Sequence, residues 1–415
     1  MNPQQLHCSF CAKSAKQIKR LVAGPGDIFI CDTCVSQCVE ILAEIATKET
    51  LAQSRDKVTA TPTPRSIKEF LDQFVIGQND AKEKLAVAVY NHYKRIANPI
   101  MDGVEIDKSN LALIGSSGVG KTELVSTVAR FLDLPIVCYD TTSLTEAGFV
   151  GSDVEDIVAR LLQAADGDVQ KCERGIIFLD EIDKKRSRDA TGSTTRDVGG
   201  EGVQQALLKL LEGSDVMVPS GMRRGPNVDL VKVNTRNILF ILAGSFTGLD
   251  KIIERELDSM GSIGYGAKIE RSPRTAADWL RRLQPEHLIK FGFIPELVGR
   301  IPVYAILDDL SEDQLVEVLT LPKNALVKQY VKLFFIDGVR LHFDEGALRA
   351  MARIAVLRKT NGRALRGVME DILNHVQFLL PDLHAGGVEQ VIIHESTVTA
   401  QTAPELIYTK LAAVS

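Results

Sequence analysis

Residues 115–122, Gly115-Ser116-Ser117-Gly118-Val119-Gly120-Lys121-Thr122, place glycines, a lysine and a hydroxyl at the spacing of a phosphate-binding loop. Gly115, Gly118 and Gly120 let the backbone turn tightly and approach a phosphate without a Cβ in the way. The N–H groups of such a loop cradle phosphate oxygens, Lys121 is expected to reach the β- and γ-phosphates, and the Thr122 hydroxyl is expected to ligate Mg²⁺. Further along, Ile176-Ile177-Phe178-Leu179 is an apolar run that ends in Asp180 and Glu181. Asp180 is expected to bind Mg²⁺ from its outer coordination sphere, and Glu181 to act as the base that orients and polarises an attacking water. Together the two segments imply hydrolysis of a nucleoside triphosphate.

The flanking residues say how these groups are positioned. Asn110–Ile114 has the pattern of a buried parallel strand, and Thr122–Leu132 that of a helix whose N-terminal dipole adds to the phosphate site. Ile176–Leu179 predicts a strand buried on both faces, which places Asp180 at its carboxyl end, where ligands bind in open α/β sheets. Further strands are expected at 135–139, 237–242 and 301–305, with helical patterns between most of them. This alternation predicts an α/β fold, a parallel sheet flanked by helices.

Five of the seven cysteines lie in the first 38 residues. Cys8-x2-Cys11 and Cys31-x2-Cys34 are separated by 19 residues, a spacing that fits a four-cysteine Zn²⁺ site. Four protein ligands leave no open position, so the zinc is expected to be structural, and a segment this short needs it to fold. Cys38, Cys138 and Cys172 are expected to be packing residues.

The 415 residues suffice for two or three domains. The expected divisions are a zinc module at 1–46, a polar linker at 47–64 ending in Pro-Thr-Pro, a nucleotide-binding core at 65–308, and a smaller α-rich domain at 309–415. Ser311-Glu-Asp-Gln314 is a helix-start signal for that last domain, and 339–343 and 388–394 are strand-like. With 45% hydrophobic and 25% charged residues, the composition is that of an ordinary globular protein. No apolar run is long enough to span a bilayer, and residues 1–11 lack a signal-peptide core, so no membrane association and a cytoplasmic location are expected. Lys13, Lys16, Lys19 and Arg20 form a basic cluster compatible with a DNA-binding regulator. The net charge of −5 and the hydrolase motifs speak against nucleic acid as a partner.

Several longer stretches narrow the family. Val75-Ile-Gly-Gln78, Val87–Lys94, Leu144-Thr-Glu-Ala-Gly148, Gly200–Lys209 and Gly299-Arg-Ile-Pro-Val303 resemble the ClpX family of AAA+ protein unfoldases, and the resemblance runs from the zinc module almost to the C-terminus. It implies an AAA+ core that binds ATP, assembles as a homohexamer and pulls proteins through a central pore into the ClpP peptidase. Val75 and Ile76 match positions flanking the adenine. Taken alone, Arg300 and Arg366 would be surface salt-bridge residues; the resemblance makes Arg300 an arginine finger reaching a neighbouring subunit's γ-phosphate, and Arg366 the sensor-2 arginine. Ser245 is a candidate first-sensor contact.

The resemblance also assigns the substrate path. Phe149 and Val150, in Gly148-Phe-Val-Gly151, match the pore loop, with phenylalanine where the family usually has tyrosine. A second pore loop falls around Arg196–Gly199. Arg223 and Arg224 stand where the family carries Arg-Lys-His at the pore entrance. Ile263-Gly264-Tyr265 matches the Ile-Gly-Phe loop that docks ClpP, with a phenol that needs a polar partner or water. That change leaves a second reading open, the same motor remodelling proteins without a peptidase. The zinc module is implied to be the platform for adaptors and substrates.

Overall fold

The structure is a computed structural model that describes residues 7–14, 17–26, 28–39, 62–98, 104, 106–144, 154–187, 200–219, 230–261, 275–358 and 361–408. The chain divides into two compact units. One comprises Met1–Pro62 with Ile96–Val104, the other Thr63–Arg95 with Glu105–Ser415.

In the first unit, β1 (Leu21–Ala23) and β2 (Phe29–Cys31) form an antiparallel hairpin. Helical residues 32–39 follow directly. The small core consists of Cys8, Cys31 and Cys34 packed with Ile18, Leu21 and Ile30. So little apolar surface cannot stabilise a fold by itself.

The second unit opens on the helix Pro64–Asp72. Pro64 is its first residue rather than the last of a linker. Proline's fixed φ suits that position, and Thr63 caps the helix by accepting from Ser66 N at 3.2 Å. The sheet is built from β3 (Leu111–Ile114), β4 (Ile136–Asp140), β5 (Ile176–Asp180), β8 (Leu239–Gly244) and β9 (Val303–Ile306), and a separate antiparallel hairpin from β6 (Asp215–Pro219) and β7 (Leu230–Asn234). The sheet order is β4-β5-β8-β3-β9, with every pairing parallel. The three central strands are apolar and buried on both faces, as parallel strands covered by helices must be. All five fall within two residues of their expected positions.

A second hydrophobic core begins at Leu310. Ser311 opens the helix Glu312–Thr320 with the expected reciprocal cap: its hydroxyl accepts from Gln314 N, and the Gln314 side chain accepts from Ser311 N. Leu315 and Leu319 face this core. β10 (Arg340–Phe343), β11 (Val388–Ile393) and β12 (Glu405–Tyr408) form a three-stranded sheet, parallel between β10 and β11 and antiparallel between β11 and β12. The long helix Gly362–Ala385 packs its Leu365, Met369 and Leu373 into the same core.

Candidate nucleotide site

The strand order brings the chemistry together. β8 lies between β5 and β3, so three neighbouring strands deliver their carboxyl ends to one place. β3 runs into Gly115, β5 ends on Asp180 and β8 on Gly244. Gly115 N donates to Gly244 O at 3.2 Å, extending the sheet into the loop. A Cβ at Gly115 would lie 2.9 Å from that of Leu307, so only glycine fits. Gly118 and Gly120 have φ of 80° and 105°, in the region that disfavours other residues. Gly120 caps the helix Lys121–Leu132, whose N-terminus therefore opens onto the loop.

A cavity of about 440 Å³ sits over these ends, lined by Ser117, Gly118, Gly120, Lys121, Thr122 and Glu123 from the loop and helix, by Asp180, Glu181, Asp183 and Lys184 after β5, by Ser245, and by Arg363. Lys121 Nζ donates to Gly115 O at 2.7 Å and Ser116 O at 2.8 Å, so the ammonium is held inside the curl of the loop. Burial pushes its pKa below the ordinary lysine value; Asp180 and Asp183 oppose that fall, Arg363 adds to it, and Glu181 opposes it. Thr122 Oγ1 faces Asp180 Oδ2 at 3.5 Å. Glu181 has φ 56° and ψ 30°, an irregular conformation that ends β5 abruptly and lets the carboxylate line the cavity.

Val75 is buried beside the loop, 3.7 Å from where a Cβ of Gly120 would stand, and Ile76 is half-buried. Their segment is anchored from both sides. Gln78 donates to Asp308 O at 2.8 Å and accepts from Asp308 N at 2.9 Å, while the fully buried Lys82 donates to Val75 O at 2.6 Å and to Asp72 at 2.7 Å. Ser245 Oγ donates to Asp183 Oδ2 at 3.0 Å. Asp183 is nearly buried, and a Cβ at Gly244 would overlap its carboxylate. Sequence reasoning passed over Asp183, which comes back under the strand ends because Glu181 turns into left-handed backbone.

The two arginines lie elsewhere. Arg300 donates through Nε and Nη2 to Glu212 Oε1 at 3.0 and 2.7 Å, on an exposed face. Arg366 is exposed and donates to Gln329 at 3.4 Å. Among the described residues the arginine of the Gly362–Arg366 segment that lines the cavity is Arg363, not Arg366. Both lie on one helix, and three residues make most of a helical turn; the residue nearest the helix start is the one beside the phosphate loop. Phe149, Val150, Arg196–Gly199, Arg223, Arg224, Ile263, Gly264 and Tyr265 lie outside the described residues.

In the first unit, ligand atoms of Cys8, Cys11, Cys31 and Cys34 lie within 4.8 Å of one another. Four sulfurs around a tetrahedral Zn²⁺ at about 2.3 Å would stand about 3.8 Å apart; Cys11 and Cys31 sulfurs are 3.7 Å apart. Cys31 N also donates to Cys8 Sγ at 3.3 Å, the kind of backbone support that favours a thiolate ligand. The all-sulfur donor set fits a closed structural zinc site.

Comparison with known proteins agrees with both sites. Residues 106–304 match the AAA domain (Cdc48 subfamily), and residues 6–44 match the ClpX C4-type zinc finger. The ATP-dependent Clp protease ATP-binding subunit ClpX of Treponema denticola is 45% identical over 396 residues, covering 95% of this chain and 94% of that protein. At that identity and coverage the chain belongs to the ClpX family, and it is an AAA ATPase with an N-terminal C4 zinc finger.

Proposed function

We propose that this chain is an ATP-driven protein unfoldase and translocase that works in the cytoplasm as a homohexamer, threads substrates through the ring's pore and delivers them to the ClpP peptidase. The observation that carries the motor is the convergence of Lys121, Thr122, Asp180, Glu181 and Arg363 around one cavity at the ends of β3 and β5. The Treponema denticola relative is the ATP-binding subunit of a Clp protease, which supports the peptidase partnership.

In the cleavage step, a water oxygen forms a bond to the γ-phosphorus as the bond to the β–γ bridging oxygen breaks, giving ADP and phosphate. Glu181 accepts the water proton, and Lys121 and Arg363 offset the charge on the phosphate oxygens. Thr122 and Asp180 would hold Mg²⁺, which supplies further charge neutralisation. Arg300, exposed and paired to the surface residue Glu212 on its own chain, can exchange that partner for a phosphate across a subunit boundary. Phe149 and Val150 grip the polypeptide, Arg223 and Arg224 favour negatively charged tails, and the zinc module receives adaptors. The large domain spans 65–308 and the small domain 309–415; they meet at the nucleotide, so hydrolysis rotates one against the other.

Tyr265 in the docking loop favours a second reading, a peptidase-independent remodeller with the same motor. One experiment separates the two. Green fluorescent protein with an unstructured C-terminal tail is mixed with the full chain and ATP, with and without the cognate ClpP. Loss of fluorescence, with loss of the intact band only when ClpP is present, supports delivery to the peptidase. Loss of fluorescence with an intact band in both conditions supports the remodeller. Hydrolysis of ATP without fluorescence loss in either condition contradicts both.

A further inference from the structure

Asn361 occupies a backbone conformation that favours glycine, with φ 47° and ψ −134°. Its side chain accounts for its place there. Nδ2 donates to Ser117 O at 3.1 Å and lies 3.2 Å from Ser116 Oγ. Oδ1 accepts from Leu310 N at 3.4 Å. The next residue continues the contact, Gly362 N donating to Gly118 O at 3.1 Å. A Cβ at Gly362 would itself come within 3.1 Å of that carbonyl, so a larger residue there would press on the contact. Ser116 Oγ also donates to Asp309, whose carboxylate faces Asn361 Nδ2 at 3.4 Å. The phosphate loop is thus bonded to two places in the C-terminal core, the segment entering it at Asp309–Leu310 and the start of its longest helix.

These bonds act on loop carbonyls, and that has a consequence for loop N–H groups. In a trans peptide the C=O and the following N–H point in opposite directions. When Asn361 holds Ser117 O, the Gly118 N–H is turned the other way. When Gly362 holds Gly118 O, the Val119 N–H is turned the other way. Those are the donors a phosphate loop offers its ligand.

We propose that Asn361 is a positioning residue for nucleotide binding: its side-chain amide, with the Gly362 N–H beside it, orients the Ser117–Gly118 and Gly118–Val119 peptides towards the phosphates. Loop order is thereby tied to the seating of the helix Gly362–Ala385, and with it to the placement of Arg363. The inference rests on the ATP-site reading above. By linkage, nucleotide and helix seating stabilise each other, each strengthening the other by the same factor.

The test uses the full chain and ADP carrying a fluorescent ribose label, with steady-state ATP hydrolysis alongside. Asn361→Gly accepts the left-handed backbone without strain but removes the amide. Asn361→Asp keeps the acceptor for Leu310 N, removes the donors and sets a carboxylate against Asp309. Circular dichroism melts confirm that each variant is folded. Asn361→Gly is expected to weaken labelled-ADP binding and raise KM for ATP about tenfold, the worth of one to two hydrogen bonds, with the loss falling on KM rather than kcat. Asn361→Asp is expected to lose more. If Asn361→Gly binds as tightly as the unaltered chain or tighter, as relief of backbone strain alone would give, the proposal is overturned. It is overturned equally if kcat falls while KM holds, or if Asn361→Asp binds normally. Lys121→Ala separates the two levels: if the unaltered chain binds no labelled ADP, or Lys121→Ala binds it equally well, the ATP-site reading itself has failed.

Discussion

Thr122 Oγ1 stands 3.5 Å from Asp180 Oδ2, so the last residue of the phosphate loop and the last residue of β5 face each other, although they lie 58 positions apart along the chain. In the proposed site the hydroxyl would bind Mg²⁺ directly and the carboxylate would hold one of its waters. Asp180→Asn and Thr122→Ala are each expected to raise the Mg²⁺ concentration required for half-maximal ATPase activity, by about tenfold or more for the loss of a charged contact. A magnesium titration of ATP hydrolysis measures this, and an unchanged midpoint in both variants contradicts the assignment.

Arg363 and Arg366 make a second prediction because they share a helix but not a surroundings. Arg363 lines the cavity, whereas Arg366 is exposed and donates to Gln329, away from the cavity lining. Arg363→Ala is expected to reduce kcat/KM for ATP by about ten- to a hundredfold, the range for hydrogen bonds to charged groups. Arg366→Ala is expected to leave it within about twofold, and stability within about 0.5 kcal/mol, as for an exposed surface substitution. The reverse ranking of the two variants would return the role to Arg366.

The four-cysteine cluster predicts one tightly held Zn²⁺ per chain. Elemental analysis of the purified protein is expected to find it, and Cys8→Ser or Cys31→Ser to lose it. With so small a core around Cys8, Cys31 and Cys34, chelation is expected to unfold the module and leave the ATPase melting transition in place. Zinc retained at full stoichiometry in both variants would contradict the ligand set.

His394 supplies a pH dependence. Its Nδ1 lies 2.8 Å from Asp344 Oδ2 and its Nε2 2.7 Å from Glu405 Oε2, joining the start of β12 to the cap of the helix Glu345–Leu357. Hydrogen bonds to Glu405 and then Asp344 raise its pKa above the ordinary 6.5. A raised histidine pKa means that the stabilisation is fully present below the unfolded value and is lost as pH rises through the folded one. The C-terminal core is therefore expected to melt at a lower temperature as pH climbs above 6.5, and His394→Gln to flatten that slope. Equal slopes in the two proteins would show that His394 does not carry the effect.

What the sequence displayed, and what it hid, follows from how locally each feature is encoded. The central strands were legible because Leu111–Ile114, Ile176–Leu179 and Leu239–Ala243 are unbroken apolar runs buried on both faces. The hairpin β6–β7 was missed because Met217 and Leu230 point outward as large apolar residues, which blurs the alternation that marks a half-exposed strand. Lys121, Thr122, Asp180 and Glu181 were legible from spacing alone. Asp183 and Arg363 were not, since their places depend on Glu181 turning into left-handed backbone and on a helix of the second core starting against the phosphate loop. Asn361 gave no signal at all, for its role lies in a positive φ and in bonds to residues far away in sequence.

The measurement that tests the account most directly follows phosphate release and loss of fluorescence in one sample, using tailed green fluorescent protein with the unaltered chain and with Glu181→Gln. The account predicts that the unaltered chain releases phosphate and unfolds the substrate together. Glu181→Gln is predicted to bind labelled nucleotide normally, to slow hydrolysis by about a hundredfold or more, as loss of a general base does, and to leave the substrate fluorescent. Hydrolysis at the unaltered rate in Glu181→Gln, or unfolding that proceeds without ATP, would contradict it.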